Sequence, residues 1–150
     1  MRGVLVFLLA LAFVVVAVTS ARGASIPPKL AKEARYVASH GGVLSTRHGD
    51  ATPRMRQLVR RLVVARFAPS GVAAVQTALC VVAGESGFNP GAISRGGDYG
   101  TFQINRASWE HVYDWGRILD PVYNIGVGWA MSERGFSWSP WTVWTNGSCR

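Results

Sequence analysis

From Thr52 onward the chain has the rhythm of a helix: Met55, Leu58, Val59, Leu62 and Val63 return every three or four positions. This spacing gathers the apolar groups on one face and leaves Arg54, Arg60 and Arg61 on the other. A helix is therefore expected to start at Pro53 under a Thr52 cap and to end at Pro69. A second is expected from a Ser70 cap through Val72, Val75, Leu79 and Val82 to Ser86, where Gly87 and Pro90 stop it. Beyond Pro90 the period shortens. Ile93 and Ser94 read as a short strand, residues 95–97 as a turn and residues 99–102 as the return of a small hairpin. Trp109, Val112 and Tyr113 predict a further helix from Ala107, and residues 121–133 another, with Val122, Ile125, Trp129 and Met131 inward. Together these elements make a mostly helical chain with a minor sheet.

The N-terminal third is patterned differently. Arg2 precedes an unbroken apolar run over residues 3–18, then the small residues of positions 19–24. Residues 1–23 thus read as a secretory signal peptide, with cleavage after Ala21 or after Gly23. An uncleaved anchor is the competing reading, because residues 3–21 approach the roughly 20 that a spanning helix needs. Both put the remainder outside the cytoplasm. Residues 24–51 carry Pro27, Pro28, Gly41 and Gly42 without a sustained apolar period, and are expected to form a basic linker ahead of a folded domain at 52–150. His40, His48 and Asp50 lack ligand spacing, so neither a metal site nor a cofactor is expected.

Composition narrows the class. With 150 residues, 49% of them hydrophobic and 16% charged, the chain is too apolar to be held open by its own charge. The net charge of +8 is confined: residues 26–68 hold two Lys and seven Arg against Glu33 and Asp50, whereas residues 69–150 hold five Arg against six carboxylates. A block of this kind suits anionic wall polymers or a membrane surface as partners. A membrane-disrupting or nucleic-acid-binding role led by the arm is one rival function, although nucleic acid is not the expected partner. In an oxidising compartment the two cysteines, Cys80 and Cys149, are expected to form one disulfide, the alternative being two free thiols. Neither has the paired spacing of a zinc site.

Glu85, at the end of an apolar helix, is not a motif by itself. Asp98, at the edge of the hairpin that follows, supplies a second carboxyl able to face the first across a cleft. Glycosidic bond cleavage uses such a pair, one protonated in an apolar setting and one ionised in a polar setting.

The stretch over residues 80–109, CVVAGESGFNPGAISRGGDYGTFQINRASW, resembles the catalytic segment of the lysozyme-like superfamily, which includes C-type lysozymes and bacterial SLT-type lytic transglycosylases. Glu85-Ser86 with Asn89-Pro90 and Ala92 is similar to the transglycosylase pattern. Asp98-Tyr99-Gly100 followed by Phe102-Gln103-Ile104-Asn105 resembles the C-type lysozyme hairpin. In the tail, Trp141, Trp144 and Cys149 resemble the segment whose Trp walls the catalytic Glu and whose Cys pairs back to the preceding helix. The resemblance covers residues 70–150 and implies an α+β lysozyme-like domain that cleaves the MurNAc–GlcNAc β-1,4 bond of peptidoglycan glycan strands. It implies Glu85 as general acid and Asp98 as nucleophile or stabiliser, lysozyme being the type case of that chemistry. It also implies Ser86, Tyr99, Gln103 and Asn105 as sugar-binding residues, Trp141 as the group that desolvates Glu85, and a bond between Cys80 and Cys149.

Two departures matter. The interval from Glu85 to Asp98 is several residues shorter than in animal C-type lysozymes, and one disulfide is available where they have four. If Asp98 falls short of the cleaved bond, Glu85 acts alone as acid then base and a substrate group closes a 1,6-anhydro ring, as in the SLT family. A wall-binding module that has kept the groove and lost turnover is the non-enzymatic alternative.

Overall fold

The structure, a computed structural model, describes residues 25–149. The signal peptide or anchor expected at 1–23 lies outside the described residues. No helix among the described residues is long and apolar enough to cross a membrane.

The expected helix at Pro53 is present. α2 (Pro53–Phe67) starts where Thr52 Oγ1 accepts the N–H of Met55 at 3.2 Å, and Met55, Leu58, Val59, Leu62, Val63 and Phe67 are all buried. α3 (Val72–Ser86) ends at Gly87, whose φ of +59° lets its N–H turn back onto the carbonyl of Ala83. Its start differs from expectation. The cap position is Gly71, and the Ser70 hydroxyl donates to the carbonyl of Arg134 instead, tying the helix start to the C-terminal segment.

The linker expected over residues 24–51 is folded. α1 (Pro28–Val37) buries Leu30, Ala31, Ala34 and Val37 and packs against α2 and α5 (Pro121–Met131). These four residues do have helical spacing, in a run too short to stand out between Pro27 and the Gly41-Gly42 pair. Ion pairs join the segment to the domain, Arg54 to Glu33 at 3.1 Å and Arg35 to Asp120 at 2.6 Å. After a wide turn at Ala38–Gly42, a loop over residues 43–51 runs back to Thr52.

The sheet is smaller and later than expected. β1 (Asp98–Tyr99) pairs antiparallel with β2 (Ile104–Asn105), with Asp98 opposite Asn105 and Tyr99 opposite Ile104. Ile93 meets Tyr99 only through an isolated bridge. Residues 100–103 form the turn because Gly100 (φ +77°) and Gln103 (φ +49°) are left-handed, and because Phe102 is pulled into the core. The buried Asn124 of α5 fixes this turn, accepting the N–H of Phe102 at 2.8 Å and donating to the carbonyls of Tyr99 and Ile118. A side chain at Gly100 would collide with that amide. The helix expected from Ala107 is a single turn, α4 (Arg106–Trp109). In α5 the fully inward residues are Asn124, Ile125, Val127 and Gly128, with Val122, Trp129 and Met131 half-buried. A last turn, α6 (Thr142–Thr145), packs on α3.

The result is the expected mostly helical α+β domain with one minor antiparallel sheet. Cys80 and Cys149 are joined, with Cα atoms 5.6 Å apart.

Candidate active site

Glu85 occupies the last turn of α3, held between two segments from opposite ends of the chain. From the C-terminal side, Val143 of α6 stands over Gly84, where a Cβ would lie 2.8 Å from Val143 Cγ1, and the Val143 N–H binds the Glu85 carboxylate. From the N-terminal side, His48 Nε2 reaches the carbonyls of Ala83 and Gly84 at 3.1 and 3.2 Å, and the N–H of Gly49 donates to the carbonyl of Ser86 at 2.8 Å. Ala83 and Gly84 are exposed, so small side chains leave the approach to the acid open. Burial pushes the Glu85 carboxyl above the usual carboxylate range. The Val143 hydrogen bond opposes that rise, the negative charge of Asp98 adds to it, and His48 opposes it weakly.

Asp98, on β1 of the hairpin, lies near enough for its charge to act on this group. Its Oδ2 accepts from Ser94 Oγ at 2.6 Å and its Oδ1 from Asn105 Nδ2 at 2.9 Å, which fixes the carboxylate in one orientation. Asn105 is fully used, since its Oδ1 also caps α4 by accepting the N–H of Ser108. Gln103 Nε2 donates to the carbonyls of Ala92 and Gly100 at 3.1 and 2.9 Å. Both amide nitrogens expected to meet sugar are committed to the hairpin itself.

Ser86 is fully buried and donates to the carbonyl of Val82, so the sugar contact expected of it is not available. Trp141 is also in the core. Its Nε1 donates to the carbonyl of Phe102 at 2.8 Å and its ring packs on Phe102 and Trp138. Val143 of that segment lies next to Glu85. Tyr99 remains half-exposed on β1, with its ring edge-on to Trp115 at 5.2 Å.

Sequence reasoning missed the loop at 43–51. Asn89, fully buried, donates to the carbonyls of Ser45 and Arg47 at 2.9 and 2.7 Å and accepts the N–H of Gly91, while the N–H of Ile93 donates to Thr46. The Asn-Pro of the quoted stretch therefore anchors the N-terminal segment beneath the acid. Asn89→Ala removes three hydrogen bonds at once and leaves only the Arg47 carbonyl a second partner, the N–H of Asp50, so unfolding measurements are expected to show a loss of about 2 kcal/mol.

A mostly helical domain with one short hairpin and a half-buried acid at the end of a central helix agrees with a lysozyme-like architecture. The family model for the lysozyme-like domain matches residues 64–143, more than half of the chain, and the chain belongs to that family. No curated protein and no solved structure gives a match. Membership makes this a peptidoglycan-acting domain of the muramidase or lytic transglycosylase kind. The disulfide agrees with an extracytoplasmic location.

Proposed function

We propose that the chain hydrolyses the β-1,4 bond between MurNAc and GlcNAc, with Glu85 as general acid and Asp98 as the carboxylate that stabilises the oxocarbenium-like transition state or attacks it. The observation that supports this reading is the environment of Glu85. Burial and the Asp98 charge favour its protonated form, which is the form able to protonate a leaving oxygen near neutral pH. Proton donation breaks the glycosidic bond, Asp98 offsets the positive charge left on the sugar, and Glu85, now a base, activates the water that completes hydrolysis. Lys29, Lys32, Arg60 and Arg61, exposed and outside any ion pair among the described residues, suit attachment to anionic wall polymers.

Asp98→Asn tests the second carboxyl. The amide keeps the size of the side chain and one acceptor oxygen, for Asn105 or for Ser94, while the charge goes; the melting temperature measured beside the rate reports what the lost bond costs the hairpin. Hydrolysis of purified sacculi is expected to fall by roughly 10²-fold or more, as for other groups aimed at developing charge. The alkaline limb of the rate profile is expected to move to lower pH, because the Asp98 charge no longer raises Glu85.

One observation favours lytic transglycosylation as the second reading. Both Asp98 oxygens are already held by hairpin residues, as expected of a carboxylate whose task is structural. Glu85 then acts alone and a hydroxyl of the substrate closes the anhydro ring, in which case Asp98→Asn leaves the rate nearly unchanged.

A further inference from the structure

An open pocket of about 460 Å³ lies between α2, α5, the chain that follows α4, and Ser25 and Ile26, and none of the groups around Glu85 lines it. Its walls include Arg66, Arg117, Tyr113, Tyr123, Val127 and Ala130, and among the described residues no carboxylate. Both cations rest on aromatic faces. The Arg66 guanidinium carbon is 4.1 Å from the Trp129 ring centre and that of Arg117 is 4.6 Å from the Tyr123 ring centre. Among the described residues neither forms an ion pair, and Arg66 Nε is buried with no hydrogen-bond partner.

Stacking on a ring leaves the edge of a guanidinium, where its N–H groups lie, free for an acceptor. The hydroxyl of Tyr123 accepts the N–H of Asp114 at 2.7 Å, so its own proton is available for donation. Burial lowers the pKa of Arg66 and raises that of Tyr113, the latter with a smaller contribution from Tyr123. Arg66 is half-buried with its Nε sealed from solvent, and an acceptor on an anionic ligand would offset the cost of leaving that N–H unpaired.

We propose that this cavity binds a small organic anion, a carboxylate carried on a short apolar body. Arg66 and Arg117 hold the carboxylate, the hydroxyls of Tyr113 and Tyr123 donate to it, and Val127 and Ala130 receive the apolar part. Planar guanidinium groups match a carboxylate edge to edge, and the apolar wall favours a monoanion over a more heavily hydrated dianion. The site is independent of glycan cleavage.

Calorimetric titration of the purified protein with octanoate, acetate and octan-1-ol tests the assignment. Octanoate is expected to bind with a Kd below about 1 mM, and acetate and octan-1-ol at least about ten-fold more weakly, each lacking half of the recognised chemistry. Arg117 is exposed, so Arg117→Gln is expected to keep the melting temperature of the free protein and to weaken octanoate about ten-fold or more. Glu85→Gln is expected to bind octanoate unchanged, which separates this site from the catalytic reading. No binding of octanoate, equal binding of octan-1-ol, or undiminished binding by Arg117→Gln would each overturn the proposal.

Discussion

Glu85→Gln is expected to leave a folded protein that clears a cell-wall suspension roughly 10² to 10⁴-fold more slowly, the range supplied by a positioned acid–base group. The amide keeps the shape of the side chain and cannot give up a proton to the leaving oxygen. The same substitution carries a second signature, in stability. A carboxyl raised by burial folds without penalty while protonated, below its ordinary pKa near 4.5, and loses stability as pH rises through the higher folded value. Gln carries no such penalty. The variant is therefore expected to melt above the wild type at neutral pH, with the difference disappearing in acid. A general loss of packing would lower the melting temperature at every pH, so thermal unfolding at two pH values separates the two causes.

Removing the disulfide is expected to have the largest effect on stability. Cys80 and Cys149 are 69 positions apart, and in the chain-entropy account closing a loop of that length contributes about 4 kcal/mol. For a domain of this size the melting temperature is expected to fall by roughly 10 to 20 °C on reduction or in a double Ser variant. Activity should fall with it for a local reason. Cys149 ends the segment that sets Val143 over Gly84 and against Glu85, and Cys80 lies on the same helix as the acid. When that wall loosens, water reaches the carboxyl, its pKa drops toward the ordinary value, and the alkaline limit of activity moves to lower pH. A reduced protein that melts lower yet keeps the wild-type pH profile would show that α6 does not set the environment of Glu85.

What could be read from the chain and what could not follows the range of the forces involved. α2 and the end of α3 were legible because their signals are local: a Thr cap before Pro53, apolar residues at helical spacing, and a Gly at the position that needs positive φ. α1 was hidden because its stabilisation is tertiary. A ten-residue helix with three cations is marginal alone and forms by laying Leu30, Ala34 and Val37 on α2 and α5. The hairpin register was displaced by Asn124, which lies more than twenty residues further along and dictates where the turn sits.

The candidate site shows the same division. Glu85 and Asp98 were singled out by residue type and order, and the structure brings them near enough for the Asp98 charge to act on Glu85. The contributions of His48, Gly49 and Val143 were not, because they reach Glu85 from segments 36 or more positions away, or through backbone groups that every residue possesses. Ser86 and Trp141 were given sugar-facing or acid-facing roles from their place in the motif, whereas burial assigns both to packing. Asn89 points the other way: it stood in the quoted motif without a role, and its three hydrogen bonds supply one.

Mass spectrometry of the soluble products released from purified peptidoglycan tests the central claim most directly. Cleavage by Glu85 with Asp98 and water predicts muropeptides that end in reducing MurNAc, absent when Glu85→Gln replaces the wild type. Products ending in 1,6-anhydro-MurNAc would contradict hydrolysis and leave Glu85 as the sole catalytic carboxyl, and sacculi bound without any release would contradict glycan cleavage altogether.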